Sequence, residues 1–437
     1  MLETEDSDIP RETAQKLSAV RNRLRDEGVL PLLQENFLRL CKMFLGGGTG
    51  RIPERQIVPV PSLPALKSFG ACREAGVAAM DRVAVLKLNG GLGTSMGLDG
   101  PKALLIAKGG LTFLDIVCRQ VLAQQRRSCR MPLILMNSFR THQASLEFLS
   151  RYPGLASDVP RDFCQSTVPR LDADGVALPK TLGEAALCAP GHGELFAALA
   201  ATGMLKTLLQ SGYEYLFVSN VDNLSATVDE NILGYMVRER VPFLMEVVRR
   251  TAADRKGGHL ARRATDGHLL LREVAQCPDE DIGYFLDIER HPYFNTNNIW
   301  IQLSRLDEVL VAHGGILDLP LICNPKTIQI GRRESQGFQL ETAVGSAIEL
   351  FESAQAVEVE RTRFTPVKST ADLLTLWSDA YTLSEGWRLE ANPPIPCPRP
   401  AVVLDRKWYG TYEALRERIP ADAPPALSSC KRLTIEG

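Results

Sequence analysis

Apolar and polar positions divide the 437-residue chain into a helical opening and a long stretch of mixed elements. Between residues 10 and 45, Leu17, Val20 and Leu24 recur at helical spacing, and a second amphipathic run covers about 32–44. GGGTGRIP at 46–53 breaks the pattern, and VPVPSLPAL after it predicts an extended linker. From about residue 80, short aliphatic runs alternate with helical periods: VAVLKL, a helix over 111–125, PLILMNS, YLFVSN, PFLMEVV and NNIWIQL. Such alternation predicts an α/β fold with a mostly parallel sheet covered on both faces. In such sheets ligands bind beyond the carboxyl ends of the strands. The proline-rich NPPIPCPRP from Asn392 marks a further change, and 408–419 predicts a short helix. The expected organisation is a helical arm and linker over 1–79, the main α/β domain over 80–390, and a short C-terminal segment over 391–437.

Composition narrows the partners. A net charge of −2 gives no global field to attract nucleic acid or an anionic membrane, so neither is an expected partner. Polyanionic substrates would have to be met by a few local cations and a metal. There is no 18-residue apolar run, and the acidic opening MLETEDSDIP does not resemble a signal peptide, so a cytoplasmic location is expected. Ten cysteines are scattered without a C-x-x-C pair, which argues for reduced thiols and against a disulfide framework or a zinc site.

The most informative stretch is 83–102, VAVLKLNGGLGTSMGLDGPK. A short apolar strand runs into Asn-Gly-Gly, and glycines at 90, 91, 93 and 97 remove side chains where an anionic or flat ligand must approach backbone N–H groups. Lys102 places a cation eleven residues after Gly91. This is a plan for holding a nucleotide. The dinucleotide fingerprint G-x-G-x-x-G is excluded because Met96 stands where its third glycine would be. The Walker loop is excluded because no glycine is followed at once by lysine and a hydroxyl residue.

The loop LKLNGGLGTSMGLDGPK closely resembles the signature loop of the eukaryotic-type UTP–glucose-1-phosphate uridylyltransferases, or UDP-glucose pyrophosphorylases. It differs from the L-x-G-G-x-G-T-R loop of bacterial sugar nucleotidyltransferases, since Ser95 replaces the arginine. Seven further segments agree in the family's order: LMNSF (135–139), PGHGE (190–194), FVSNVDN (217–223), KGG (256–258), FNTNN (294–298), QLETAVGSAI (339–348) and PVKSTADLL (366–374). The resemblance implies a Rossmann-like nucleotidyltransferase core that makes UDP-glucose and pyrophosphate from UTP and glucose 1-phosphate with Mg²⁺. Its alternatives are the same chemistry on other or several sugar 1-phosphates and, more remotely, a non-catalytic UDP-sugar-binding protein.

Uridylyl transfer needs positioning and charge neutralisation more than a general base, because the attacking sugar phosphate is already an anion. The resemblance gives Lys102 and Lys368 the phosphate-binding roles, Asp222 the metal, and Asn220 and Asn223 the flanks of that aspartate. It gives uracil to the backbone of Leu88, Asn89, Gly90 and Gly91, with Gly93 in the same loop, and to Gln165. Gly191 is expected to let backbone approach the base, and His192 to lie near the ribose or α-phosphate. Sugar hydroxyls are expected to meet Glu246, Gly257, Gly258, Asn295, Asn297, Asn298 and Glu341.

Three departures from the family pattern stand out. Thr167-Val168 replaces the usual basic-aromatic pair after Gln165, and Ser225 replaces the glycine of SNxDNLGATVD. The family continues into a left-handed β-helix, of which this sequence is expected to keep at most the first rung. A monomer or small oligomer is therefore expected.

Overall fold

The computed structural model describes residues 10–98, 100–126, 130–330, 333–392 and 400–437. The acidic opening and most of the proline-rich stretch expected from Asn392 lie outside the described residues.

Two helices come first, α1 (Arg11–Asp26) and α2 (Pro31–Leu45). Leu17, Val20 and Leu24 are buried, as the helical spacing predicts, and Pro31 opens α2 where its missing N–H costs nothing. The predicted linker begins instead with a short edge strand, β1 (Ile57–Pro59), where a proline is tolerated. Nine more strands complete the main sheet: β2 (Val83–Asn89), β3 (Leu133–Asn137), β4 (Asp162–Cys164), β5 (Tyr215–Asn220), β6 (Phe243–Arg249), β7 (His259–Arg263), β8 (Leu269–Arg272), β9 (Tyr293–Gln302) and, after a hairpin of β10 (Ile322–Ile330) and β11 (Arg333–Glu341), β12 (Gln355–Glu358).

The sheet runs β1-β7-β9-β5-β2-β3-β4, with β6 pairing β9 and β12, and β8 pairing β7. Strands β4, β3, β2 and β5 are parallel. Strand β9 turns against β5, with Ile299 opposite Val218, and pairs antiparallel with β6 and β7 as well. A parallel neighbour needs a crossover of a dozen or more residues, usually a helix. The chain from β6 through β7 and β8 to β9 carries only short helical turns and one five-residue helix, so it meanders antiparallel.

Strand β2 shows how the layers form. Ala84, Leu86 and Leu88 face one core together with Leu17, Leu24 and Phe37 of the helical arm. Val83 and Val85 face the other core, with Phe113, Ile116 and Val117. A period of two therefore feeds both faces of a fully covered strand. Helix α3 (Phe113–Gln125) starts two residues later than the pattern predicts, because Thr112 and Asp115 form a capping box and 111–112 pair with 106–108. Helix α4 (Glu230–Glu239) follows β5. The eight-residue helix α5 (Thr370–Trp377) starts at a second capping box, Ser369 with Asp372.

The C-terminal segment also joins the core, through Tyr409, Tyr412, Leu415 and Leu427. The helix predicted over 408–419 is two shorter ones, Arg406–Tyr409 and Tyr412–Arg418, parted at Gly410 and the N-cap Thr411. Strands β13 (Ala401–Leu404) and β14 (Arg432–Ile435) pair in parallel across them. No helix among the described residues is long and apolar enough to cross a membrane.

Candidate active site

The glycine loop after β2 folds back on itself. Leu92 bridges Pro101, the Gly93 N–H donates to the Gly100 carbonyl at 3.3 Å, and the Lys102 N–H donates to the Gly91 carbonyl at 3.2 Å. This closure brings the Lys102 ammonium into an ion pair with Asp222. Asp222 sits in the turn after β5, which is tied to β2 by a bond from the Val221 N–H to the Leu88 carbonyl at 3.2 Å. Some loop glycines make room for a neighbour and others do not. A Cβ on Gly90 would stand 2.2 Å from Gln165 Nε2, whereas one on Gly91 would meet nothing within 4 Å. Leu88, Asn89, Gly90, Gly91, Gly93 and Gln165 thus gather at the carboxyl ends of β2, β3 and β4. The Asn89 side chain points into the protein, donating to Asn137 at 2.7 Å and Ser145 at 2.8 Å.

The Asp222 side of this ion pair borders a cleft of about 390 Å³, a size suited to a small-molecule ligand. Asn220, Asp222, Gly191 and His192 form one wall. Gly257, Gly258, Asn295 and Asn297 form another, and Glu341 and Lys368 also border the cleft. Lys368 stands just before the N-cap of α5, with its ammonium 5.8 Å from the Phe294 ring centre. A β-bulge explains which asparagines face inward. Glu246 pairs with Asn298 and Val247 with Asn295, so Thr296 and Asn297 are extra on β9, and Asn297 adopts φ +57°. The bulge turns Asn297 into the cleft beside Asn295, whose Nδ2 donates to its Oδ1 at 2.7 Å.

The same bulge places two of the expected sugar contacts, Glu246 and Asn298, behind the wall of the cleft. Glu246 is fully buried behind the wall, where its carboxylate accepts two bonds from Arg363 at 2.7 and 2.8 Å, one from Trp300 at 2.9 Å and one from Asn298 at 3.1 Å. A carboxylate so occupied is held within the protein and does not line the cleft. Asn298, offered from the sequence as a sugar contact, is also fully buried and faces Glu246. Asn223 is buried too, donating to Asn298 at 3.1 Å and accepting the Thr365 N–H at 3.0 Å. Ser225 extends this frame, with its Oγ 2.6 Å from Thr365 Oγ1. The substitution ties the Asp222 loop to the segment leading to Lys368.

His192 lies in the tight turn opened by Gly191 at φ +85°. Its Nδ1 accepts the Val344 N–H at 3.0 Å, and burial lowers its pKa to about 4. The ring is therefore neutral near pH 7, with its proton on Nε2. Two residues on, burial raises the Glu194 carboxyl to about 7, despite bonds from the Ser166 N–H and hydroxyl.

Sequence reasoning missed several groups at or behind this cleft. Asn324 on β10 donates to Glu341, and Gln339 donates to the same carboxylate. Asn324 lies opposite Gln339 in the β10–β11 ladder, so only the hairpin register could have revealed it. Lys256, in the KGG segment, and Glu273 also line the cleft. Burial raises the Glu273 carboxyl, with the nearby Lys368 charge opposing it. Arg363 and Lys87 lie behind the site. Lys87 is buried in β2, bonded to Ser219 Oγ at 2.7 Å and the Ala226 carbonyl at 2.9 Å, and burial lowers it to about 7.

Comparison with known proteins identifies the family. A model of the UTP–glucose-1-phosphate uridylyltransferase family matches residues 34–437. The barley (Hordeum vulgare) UTP–glucose-1-phosphate uridylyltransferase is 37% identical over 400 residues, covering 88% of this chain and 82% of its own. The potato (Solanum tuberosum) enzyme of the same name is 42% identical over 72% of this chain, a match that spans 65% of its own length. Among solved structures, the UDP-glucose phosphorylase from Trypanosoma brucei superposes with a TM-score of 0.88 at 41% identity, covering 97% of this chain and 91% of that one. A Leishmania major UDP-glucose pyrophosphorylase variant, solved in complex with UDP-glucose, gives 0.89 at 41% identity over the same shares of the two chains. The chain belongs to the UTP–glucose-1-phosphate uridylyltransferase family.

Proposed function

We propose that this protein forms UDP-glucose and pyrophosphate from UTP and glucose 1-phosphate. The observation that carries the reading is the Lys102–Asp222 pair, set between a glycine loop fit for a nucleotide and a cleft lined by Asn295, Asn297 and Glu341. A phosphate oxygen of glucose 1-phosphate attacks the α-phosphorus of UTP in line; that O–P bond forms as the bond to the β-phosphate oxygen breaks. The attacking oxygen is already anionic, so the residues must hold charge and geometry.

Lys102 exchanges Asp222 for the nucleotide phosphates, and Lys368 meets phosphate from the opposite side of the cleft. His192 offers its Nε2–H to a phosphate oxygen as a neutral donor; with a pKa near 4 it is not equipped to shuttle a proton at pH 7. Gln165 and the backbone around Gly90 and Gly91 read the base, while Asn295, Asn297 and Glu341 read the sugar.

The donor set fits Mg²⁺. Asp222 offers one hard carboxylate at the phosphate end, and this ion is commonly held by one or two carboxylates with substrate phosphates and water. Bound there, Mg²⁺ would neutralise charge on the phosphates and the departing pyrophosphate. We also read β13 and β14 as the opening coil of the family's β-helix, a reading that their parallel pairing supports.

Pyrophosphate release from purified protein tests the proposal. Release should require UTP, glucose 1-phosphate and Mg²⁺ together, and should fall when UTP is replaced by another nucleoside triphosphate. Release that prefers a different sugar 1-phosphate would move the reading to a UDP-sugar pyrophosphorylase. Silence across a sugar panel, with UTP still bound, would leave a binding protein.

A further inference from the structure

Away from the catalytic cleft, His142, Asp162 and Cys164 converge at the edge of the sheet. Asp162 and Cys164 are two apart on β4, so their side chains project from the same face of that edge strand. His142 is the first residue of the helix His142–Leu149, which follows β3. An imidazole nitrogen, a carboxylate oxygen and a sulfur lie within 4.8 Å of one another here, and all three residues are partly exposed. Among the described residues this is the one such triad of His, Cys, Asp or Glu donors.

The lack of a C-x-x-C pair argues against a multi-cysteine zinc site, but this triad needs only one sulfur; we propose that it is a binding site for a zinc-class divalent ion, coupled to the nucleotide end of the catalytic site. Bond lengths of about 2.0–2.3 Å to N, O and S set tetrahedral ligands roughly 3.3–3.8 Å apart, so the triad needs only small rotations to close on a metal. The His142–Asp162 contact of 2.7 Å must open slightly to admit the ion. One sulfur and one imidazole favour Zn²⁺ over Mg²⁺, and three protein ligands leave a fourth position for water. Asn137 already supplies an outer support, donating to Asp162 at 3.0 Å.

Two links reach the nucleotide loop. Gln165, next in the chain to Cys164, packs its amide against Gly90 and donates its backbone N–H to the Asn137 carbonyl at 2.8 Å. Asn137 in turn accepts a bond from Asn89, directly before Gly90. Drawing Cys164 and Asp162 onto a metal therefore acts on both partners of the base-reading loop. Glucose 1-phosphate binds on the other side of the Lys102–Asp222 pair, so the coupling should show in UTP binding. This second part rests on the proposed uridylyl-transfer reading; the metal site itself does not.

Co²⁺, a spectroscopic stand-in for Zn²⁺, tests the site on the whole protein under reducing conditions. Titration should produce a thiolate-to-cobalt charge-transfer band that Zn²⁺ abolishes. The band should be absent in Cys164→Ser, weakened at least tenfold in apparent affinity in His142→Ala, and retained in Cys323→Ser. A missing band, or one that survives Cys164→Ser, overturns the site. For the coupling, Zn²⁺ at a fixed excess of Mg²⁺ should raise the KM for UTP severalfold in the wild type and leave Cys164→Ser unaffected, with little change in KM for glucose 1-phosphate. Equal inhibition of both proteins would assign the effect to the catalytic phosphates and overturn the coupling, even if the cobalt band stands.

Discussion

The glycine loop after β2 and the FNTNN segment of β9 serve neighbouring parts of one site by opposite structural means. The loop follows the carboxyl end of a parallel strand, where backbone N–H groups run out of ladder partners and are available to a ligand. FNTNN lies inside an antiparallel strand, where backbone groups are paired and side chains alternate between cleft and core. Its second asparagine reaches the cleft because a bulge opposite Glu246 and Val247 inserts two residues. The third returns to the ladder and disappears behind the wall. A binding motif after a strand can be read from adjacency, whereas one within a strand also needs its partner's register.

The most severe break of this comparison is Glu246→Ala. Removal would leave the buried Arg363 with only the more distant Asp229 at 3.6 Å as a counter-charge, a loss approaching the roughly 3–5 kcal/mol of a broken buried pair. Denaturant unfolding should show that loss, and Glu246→Gln should recover only part of it. A variant as stable as the wild type that lost only affinity for glucose 1-phosphate would restore Glu246 as a sugar contact.

On the loop side, Lys102→Ala should lower kcat for pyrophosphate release by about 10²–10³-fold, as expected for the loss of a group that stabilises transition-state charge. Asp222→Asn should be comparably slow, with a response to Mg²⁺ concentration shifted upward. Circular dichroism should show both folded, since each is partly solvated at the cleft mouth. Near-normal turnover in either would remove that residue from the mechanism.

What could be read from sequence follows the same division. The spacing of Leu17, Val20 and Leu24 revealed α1, and the apolar run through Leu88 revealed β2, because each pattern carries its own period. The mutual placement of Lys102 and Asp222 rested on family resemblance, as did most of the cleft. Neither the period nor the resemblance disclosed that Arg363, 117 positions from Glu246, takes up that carboxylate. Asn324 was invisible for a related reason, since its nearness to Glu341 depends on the β10–β11 pairing. Long-range polar satisfaction is decided by tertiary packing, and a single sequence carries little local trace of it.

A milder change sharpens the sugar side. Asn297→Gly removes the side chain while relieving a positive φ that favours glycine. It should raise the KM for glucose 1-phosphate about tenfold, the worth of one or two hydrogen bonds, and leave the KM for UTP close to normal. Equal changes in both would mean that the bulge supports the whole site and not the sugar pocket alone.

The smallest effect concerns His192, which sits where the two halves meet. Its pKa near 4 in the folded protein lies below the ordinary value of 6.5, so between these values the unfolded chain binds more protons. Wild-type stability is therefore penalised as pH falls from about 6.5 towards 4, and the histidine contributes no slope above that window. Glu194 works in the opposite sense: its raised pKa near 7 makes the folded state the more protonated one from 4.5 to 7, and its stabilising contribution is lost as pH rises. The two slopes largely cancel in the wild type, so His192→Gln is informative only as a difference. The stability of wild type minus variant should shrink as pH falls through the window, by about 1 kcal/mol per pH unit, and stay flat from pH 7 to 8. A difference that is flat throughout would mean that burial does not depress His192, which would then be partly charged near pH 7 and no longer a purely neutral donor at the phosphate.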